Sequence, residues 1–68
     1  MNQDTFNMEV RKFLKKVGVT SQHEIEIAVD EAIKSGTLQG NEKIEAKVTL
    51  SVKMIGLEHE VRGMISLE

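Results

Sequence analysis

From Lys43 to Met54 apolar and polar residues alternate without a break. Ile44, Ala46, Val48, Leu50, Val52 and Met54 take one side, and Lys43, Glu45, Lys47, Thr49, Ser51 and Lys53 take the other. A period of two predicts an extended strand with one face on apolar neighbours and the other in water. A second stretch, Glu58 to Glu68, has Val61, Ile65 and Leu67 at odd positions and Glu58, Glu60, Arg62, Ser66 and Glu68 at even ones. Gly63 and His59 fall on its apolar side, and Met64 is the exception on the polar side. The pattern predicts strands over about 43–54 and 58–67 with a turn around Gly56.

Directly opposed residues of a hairpin share a face, so their numbers must have an odd sum here. A sum of 111 puts Ile55-Gly56 at the tip and pairs Val52 with His59, Leu50 with Val61, Val48 with Gly63, Ala46 with Ile65 and Ile44 with Leu67. It also sets Lys53 against Glu58, Thr49 against Arg62 and Lys43 against Glu68 on the outer face. Ile-Gly is not a favoured two-residue loop, so a bulge is an alternative at the tip.

The first half of the chain has the helical period instead. Phe6, Val10, Phe13, Leu14 and Val17 share one face, with Asp4 as the expected N-cap and Gly18 as the expected stop. Thr20 or Ser21 is placed to cap a second helix, with Glu24 completing a capping box after Ser21. Ile25, Ala28, Val29, Ala32 and Ile33 then form its apolar face, and Gly36 ends it. The expectation is an α+β domain of order ααββ, spanning residues 1–68 as one unit. Its helices run over about 4–17 and 21–35 and pack on one face of the hairpin. A two-stranded ribbon leaves both edges open, and two helices of ~21 Å overhang a ribbon ~10 Å wide. A symmetric homodimer joining two hairpins into a four-stranded sheet answers both problems, and a monomer whose helices cross the twisted ribbon one after the other is the alternative.

Composition narrows the function classes. The chain has 68 residues, no cysteine, no proline, two Phe, and neither Trp nor Tyr. Disulfides and thiolate metal sites are excluded, and stacking on nucleic-acid bases has little aromatic surface to use. No apolar run approaches the ~18 residues of a membrane span, and no signal-peptide pattern opens the chain. A soluble cytoplasmic protein with no membrane association is the simplest expectation. The formal charge is -2, which gives no general pull toward nucleic acid.

No set of residues points to catalysis. His23, Glu24, Glu26 and Asp30 share one helix, but the His-Glu-x-x-His pattern fails because position 27 is Ile. His59 has no cysteine or strained serine to act as a nucleophile partner, and the five glycines form no phosphate loop. The expectation is no enzyme activity, no cofactor and no metal. Charge is uneven: Arg11, Lys12, Lys15 and Lys16 gather before Gly18, and Glu24, Glu26, Asp30 and Glu31 gather after it. Basic residues late in one helix and acids early in the next suit two helix dipoles.

Val17-Gly18-Val19-Thr20-Ser21-Gln22 reads like the turn of a helix-turn-helix with the hairpin as its wing. The acidic second helix argues against it, since a recognition helix must approach phosphates. The leading expectation is therefore a protein–protein interaction module. Met8 and Ile27, off the apolar stripes, and the basic residues Arg11, Lys12, Lys15 and Lys16 are its candidate partner contacts. The alternative is a nucleic-acid binder using the Thr20–His23 turn and the basic first helix.

The chain as a whole resembles a family of very short uncharacterised bacterial proteins. Asp4-Thr5-Phe6-Asn7-Met8, Arg11-Lys12-Phe13-Leu14-Lys15, Val17 to Gln22, Lys47-Val48-Thr49-Leu50 and Gly63 to Glu68 carry the resemblance. Such families are classed as domains of unknown function, so it implies no activity, cofactor or site residue. It implies a complete small protein, with Leu67-Glu68 either native strand or a vector remnant.

Overall fold

The computed structural model describes residues 1–68 as two compact units, Met1–Thr37 and Leu38–Glu68. The first is a single α-helix, α1 (Gln3–Lys34), and not the expected pair. Asn2 is its N-cap, with Oδ1 accepting the Thr5 N–H at 3.0 Å, so Asp4 sits in the first turn and does not cap. Gly36 stands just past the other end at φ 80°, the left-handed stop expected there.

Three local facts explain why the helix runs through Gly18. No proline interrupts the segment, so no backbone donor is lost. Gly18 has a negative φ and costs about 1 kcal/mol relative to alanine, which the turns on either side offset. Thr20, expected to cap a second helix, instead donates its hydroxyl to the Lys16 carbonyl at 2.8 Å. That bond places the side chain within a helix already formed. Gln22 likewise reaches forward one turn to Glu26, with Nε2 donating to Oε1 at 2.9 Å.

The second unit is an antiparallel hairpin, β1 (Lys43–Val52) and β2 (Leu57–Ser66), forming a two-stranded sheet. The single chain therefore shows neither the two-helix layer nor the four-stranded sheet expected from the sequence. Opposed residues sum to 109: Ile44 with Ile65, Ala46 with Gly63, Val48 with Val61, Leu50 with His59 and Val52 with Leu57. Every paired residue keeps its expected face, but the register is shifted by two.

The loop accounts for the shift. A two-residue Ile55-Gly56 tip would put Ile55, a β-branched residue, in the left-handed region, which is costly. The chain instead spends Lys53–Ile55 on one turn of 3₁₀ helix and lets only Gly56 take the left-handed conformation, at φ 64° and ψ 25°. The Gly56 N–H closes this turn on the Lys53 carbonyl at 3.1 Å. Met54 consequently leaves the strand face and stands in the exposed tip.

Gly18→Ala separates one helix from two. A Cβ at Gly18 meets nothing within 4 Å. In a continuous helix the change should raise stability by about 1 kcal/mol and increase helicity, read by circular dichroism and thermal melting. A left-handed Gly18 ending a first helix would make the same substitution destabilising.

Candidate functional site

A helix of ~48 Å spreads its side chains widely, which decides what the expected contacts can do together. Met8, Lys12 and Lys15 lie at spacings of four and three and so share one side of α1. Arg11 and Lys16 flank them on either side. Ile27 is nineteen residues beyond Met8, or ~28 Å along the axis, and belongs to a different patch. Met8 is 60% exposed and Ile27 42%, so both are available at the surface, but not to one small ligand.

The helix-turn-helix reading loses its turn. Thr20 to His23 is helix throughout, so no second helix is angled for a groove. Two of the three carboxylates grouped with His23 are also otherwise engaged. Glu26 accepts from Gln22 at 2.9 Å, and Asp30 pairs with Lys34 at 3.0 Å one turn on. No three His, Cys, Asp or Glu side chains converge in the chain.

Within the hairpin, His59 lies on the apolar side opposite Leu50, where Val52 was the expected partner. The outer face carries a chain of charges. Lys47 and Arg62 stand directly opposite each other, a repulsive pairing, and the acids on the diagonals relieve it. Glu60 bridges Lys47 at 3.7 Å and Arg62 at 3.1 Å, and Glu45 reaches Arg62 at 3.5 Å. Neither of the two ion pairs expected from the sequence register, Lys53 with Glu58 and Lys43 with Glu68, forms. A shallow depression of about 230 Å³ beside this network is lined by Glu45, Arg62, Gly63 and Met64.

The connector holds the most specific polar arrangement. One oxygen of the Glu42 carboxylate accepts the Gln39 N–H at 2.8 Å and the other accepts the Gly40 N–H at 3.0 Å. The Glu42 carbonyl accepts the Leu67 N–H at 2.9 Å, extending the ladder by one bond beyond β2. Glu42 thus ties the connector to the open end of the hairpin. The Gln39 N–H chiefly holds its carboxyl below the ordinary carboxylate value, with the Gly40 N–H adding to the effect against partial desolvation. Sequence reading passed over Glu42 because it sits in no periodic stretch. The Gly40-Asn41-Glu42 cluster was its only signal.

The family-model comparison follows the whole chain, residues 1–68, to the family of unknown function DUF6494. This chain belongs to that family. The membership agrees with the resemblance read from the sequence and, like it, carries no activity. Neither the curated proteins nor the solved structures contain a match to the chain. No helix is long and apolar enough to cross a membrane.

Glu42 gives a pH dependence of definite sign. Its folded pKa is depressed below 4.5, so its stabilising contribution is present above that value and is lost as pH falls through the folded pKa. On acidification the Gln39 and Gly40 amides should lose their hydrogen-exchange protection together. Glu42→Gln should weaken that protection at neutral pH and flatten its pH dependence below 4.5, as followed by amide NMR. An unchanged acid profile in Glu42→Gln would assign the effect to another carboxylate.

Proposed function

We propose that this protein is a small non-enzymatic interaction module whose principal binding surface is the apolar side of α1. The observation behind the proposal is the exposure of large apolar side chains along a helix that has no buried residue. Phe6 is 50% exposed, Phe13 53% and Leu14 52%. A water-soluble helix rarely displays such residues in one row unless another surface covers them. The Met8, Lys12 and Lys15 side forms a second, polar contact face suited to acidic groups on a protein partner. Acids follow the cations along the same helix, which favours a protein over a nucleic-acid backbone as the ligand.

Site-specific photo-crosslinking in cells tests this reading directly. A photoreactive residue at Phe13 or Leu14 should trap protein adducts, and a second substitution, Val17→Asp, should remove them. Adducts at neither position in a folded chain would overturn the proposal. Adducts at Lys12 or Lys15 alone would overturn the assignment of the apolar side as the principal surface.

A further inference from the structure

With α1 continuous, an eleven-residue repeat runs through it. Phe6, Val10, Leu14, Val17, Ser21, Ile25, Ala28 and Ala32 follow one another at spacings of 4, 4, 3, 4, 4, 3 and 4. Phe6, Val17 and Ala28 are each eleven apart, as are Val10, Ser21 and Ala32, and Leu14 and Ile25. Eleven residues per three turns is ~3.67 per turn, close to the natural helix, so the row stays within an arc of about 100° from end to end. Ser21 is its only polar member. A periodic helix of this length without internal caps is the pattern of helices that pair with helices.

We propose that the apolar side of α1 binds the same side of a second copy of this chain, with the two helices antiparallel about a two-fold axis near Val19. The proposal rests on the interaction-module reading and identifies the partner. Two independent features set the direction. One is size. Reversing the helix about Val19 brings Phe6 opposite Ala32, Val10 opposite Ala28 and Val17 opposite Ser21, with Leu14 beside Ile25. Large residues of the first half meet small residues of the second, which evens the spacing between the axes. A parallel pair would set Phe6 against Phe6 and Ala32 against Ala32, crowding one end and leaving the other open.

The other feature is charge. The same reversal lays the segment of Arg11, Lys12, Lys15 and Lys16 along the partner's Gln22-to-Ile27 segment, which carries Glu24 and Glu26. In two separate helices this segregation would complement the helix dipoles. In one helix it does not, because the four cations lie beyond the first turn, where Asp4 sits, and Glu31 lies in the last turn, where only Lys34 suits the dipole. Pairing with a reversed copy supplies the attraction that the single helix lacks, and a parallel pair would repel at both ends.

Because the chain contains no cysteine, direction can be read by single-cysteine variants. Val10→Cys and Ala28→Cys are mixed in reducing buffer, equilibrated and oxidised, and the products are separated by mass. Sedimentation equilibrium of the unmodified chain should give twice 7.6 kDa. The mixed disulfide should exceed the same-variant products several-fold. A predominance of same-variant products would establish a parallel pair and overturn the proposal. So would a folded 7.6 kDa monomer at every concentration. That monomer leaves the interaction-module reading standing if the in-cell crosslinks persist to other proteins, so the two failures are distinct. A charge exchange adds a check that needs no oxidation. Lys15→Glu/Lys16→Glu and Glu24→Lys/Glu26→Lys should each lose self-association several-fold and recover it on mixing, whereas a parallel pair would be tightened by either change.

Discussion

The fold depends on the helical hydrogen-bond ladder remaining intact from Val17 to Gln22. If it broke at Gly18, the chain would have two short amphipathic helices, each with its own apolar face and a free angle between them. With the ladder intact, the faces are locked in phase and become one row from Phe6 to Ala32. The margin between the two outcomes is narrow. Glycine costs about 1 kcal/mol in a helix, and a side-chain cap contributes about the same. What decides is that breaking the helix would expose several carbonyls and amides at once, whereas keeping it costs only the glycine penalty. Thr20, by bonding back to the Lys16 carbonyl, uses within the helix one of the two hydroxyls that could have capped a second one.

The hairpin shows a different relation between sequence and structure. Its face assignment was legible because it rests on parity, and any register slip by an even number preserves parity. From Ile44 to Val52, and from Leu57 to Ile65, each apolar residue lies on the side that alternation assigns to it. The register was less legible because it is set by four loop residues, where the requirement is for one left-handed position and Gly56 alone meets it. The salt bridges followed the register. Attractive pairs could be drawn in either alignment, so charge complementarity on an exposed ribbon discriminates poorly.

The candidate site was only partly readable for the same reason that the helix was misread. Gly18 followed by Thr20, Ser21 and Glu24 satisfies the rules for a helix stop and a helix start, and those rules describe local conformations without weighing them against continuation. Ending the first stripe at Val17 hid the eleven-residue spacing that passes through Ser21. The basic residues and Met8 lie on the exposed helix surface, and separating Ile27 from them required knowing the axial distance. Glu42 acts through a backbone arrangement in a connector, where hydrophobic periodicity gives no signal.

The segregated charges take on a different meaning once the helix is whole. Four cations followed by four acids over one 32-residue helix form a permanent long-axis asymmetry. Its sign opposes the arrangement that the helix dipole favours, so the single helix gains little from it. Side-chain volume is graded along the same axis, from Phe6 toward Ala28 and Ala32. Two gradients running together distinguish a reversed copy from an aligned one by both packing and repulsion. Either alone would give a preference. Acting together over the same residues, they penalise the parallel alternative while stabilising the antiparallel one, which is how an interface with few hydrogen-bonding groups can still be specific.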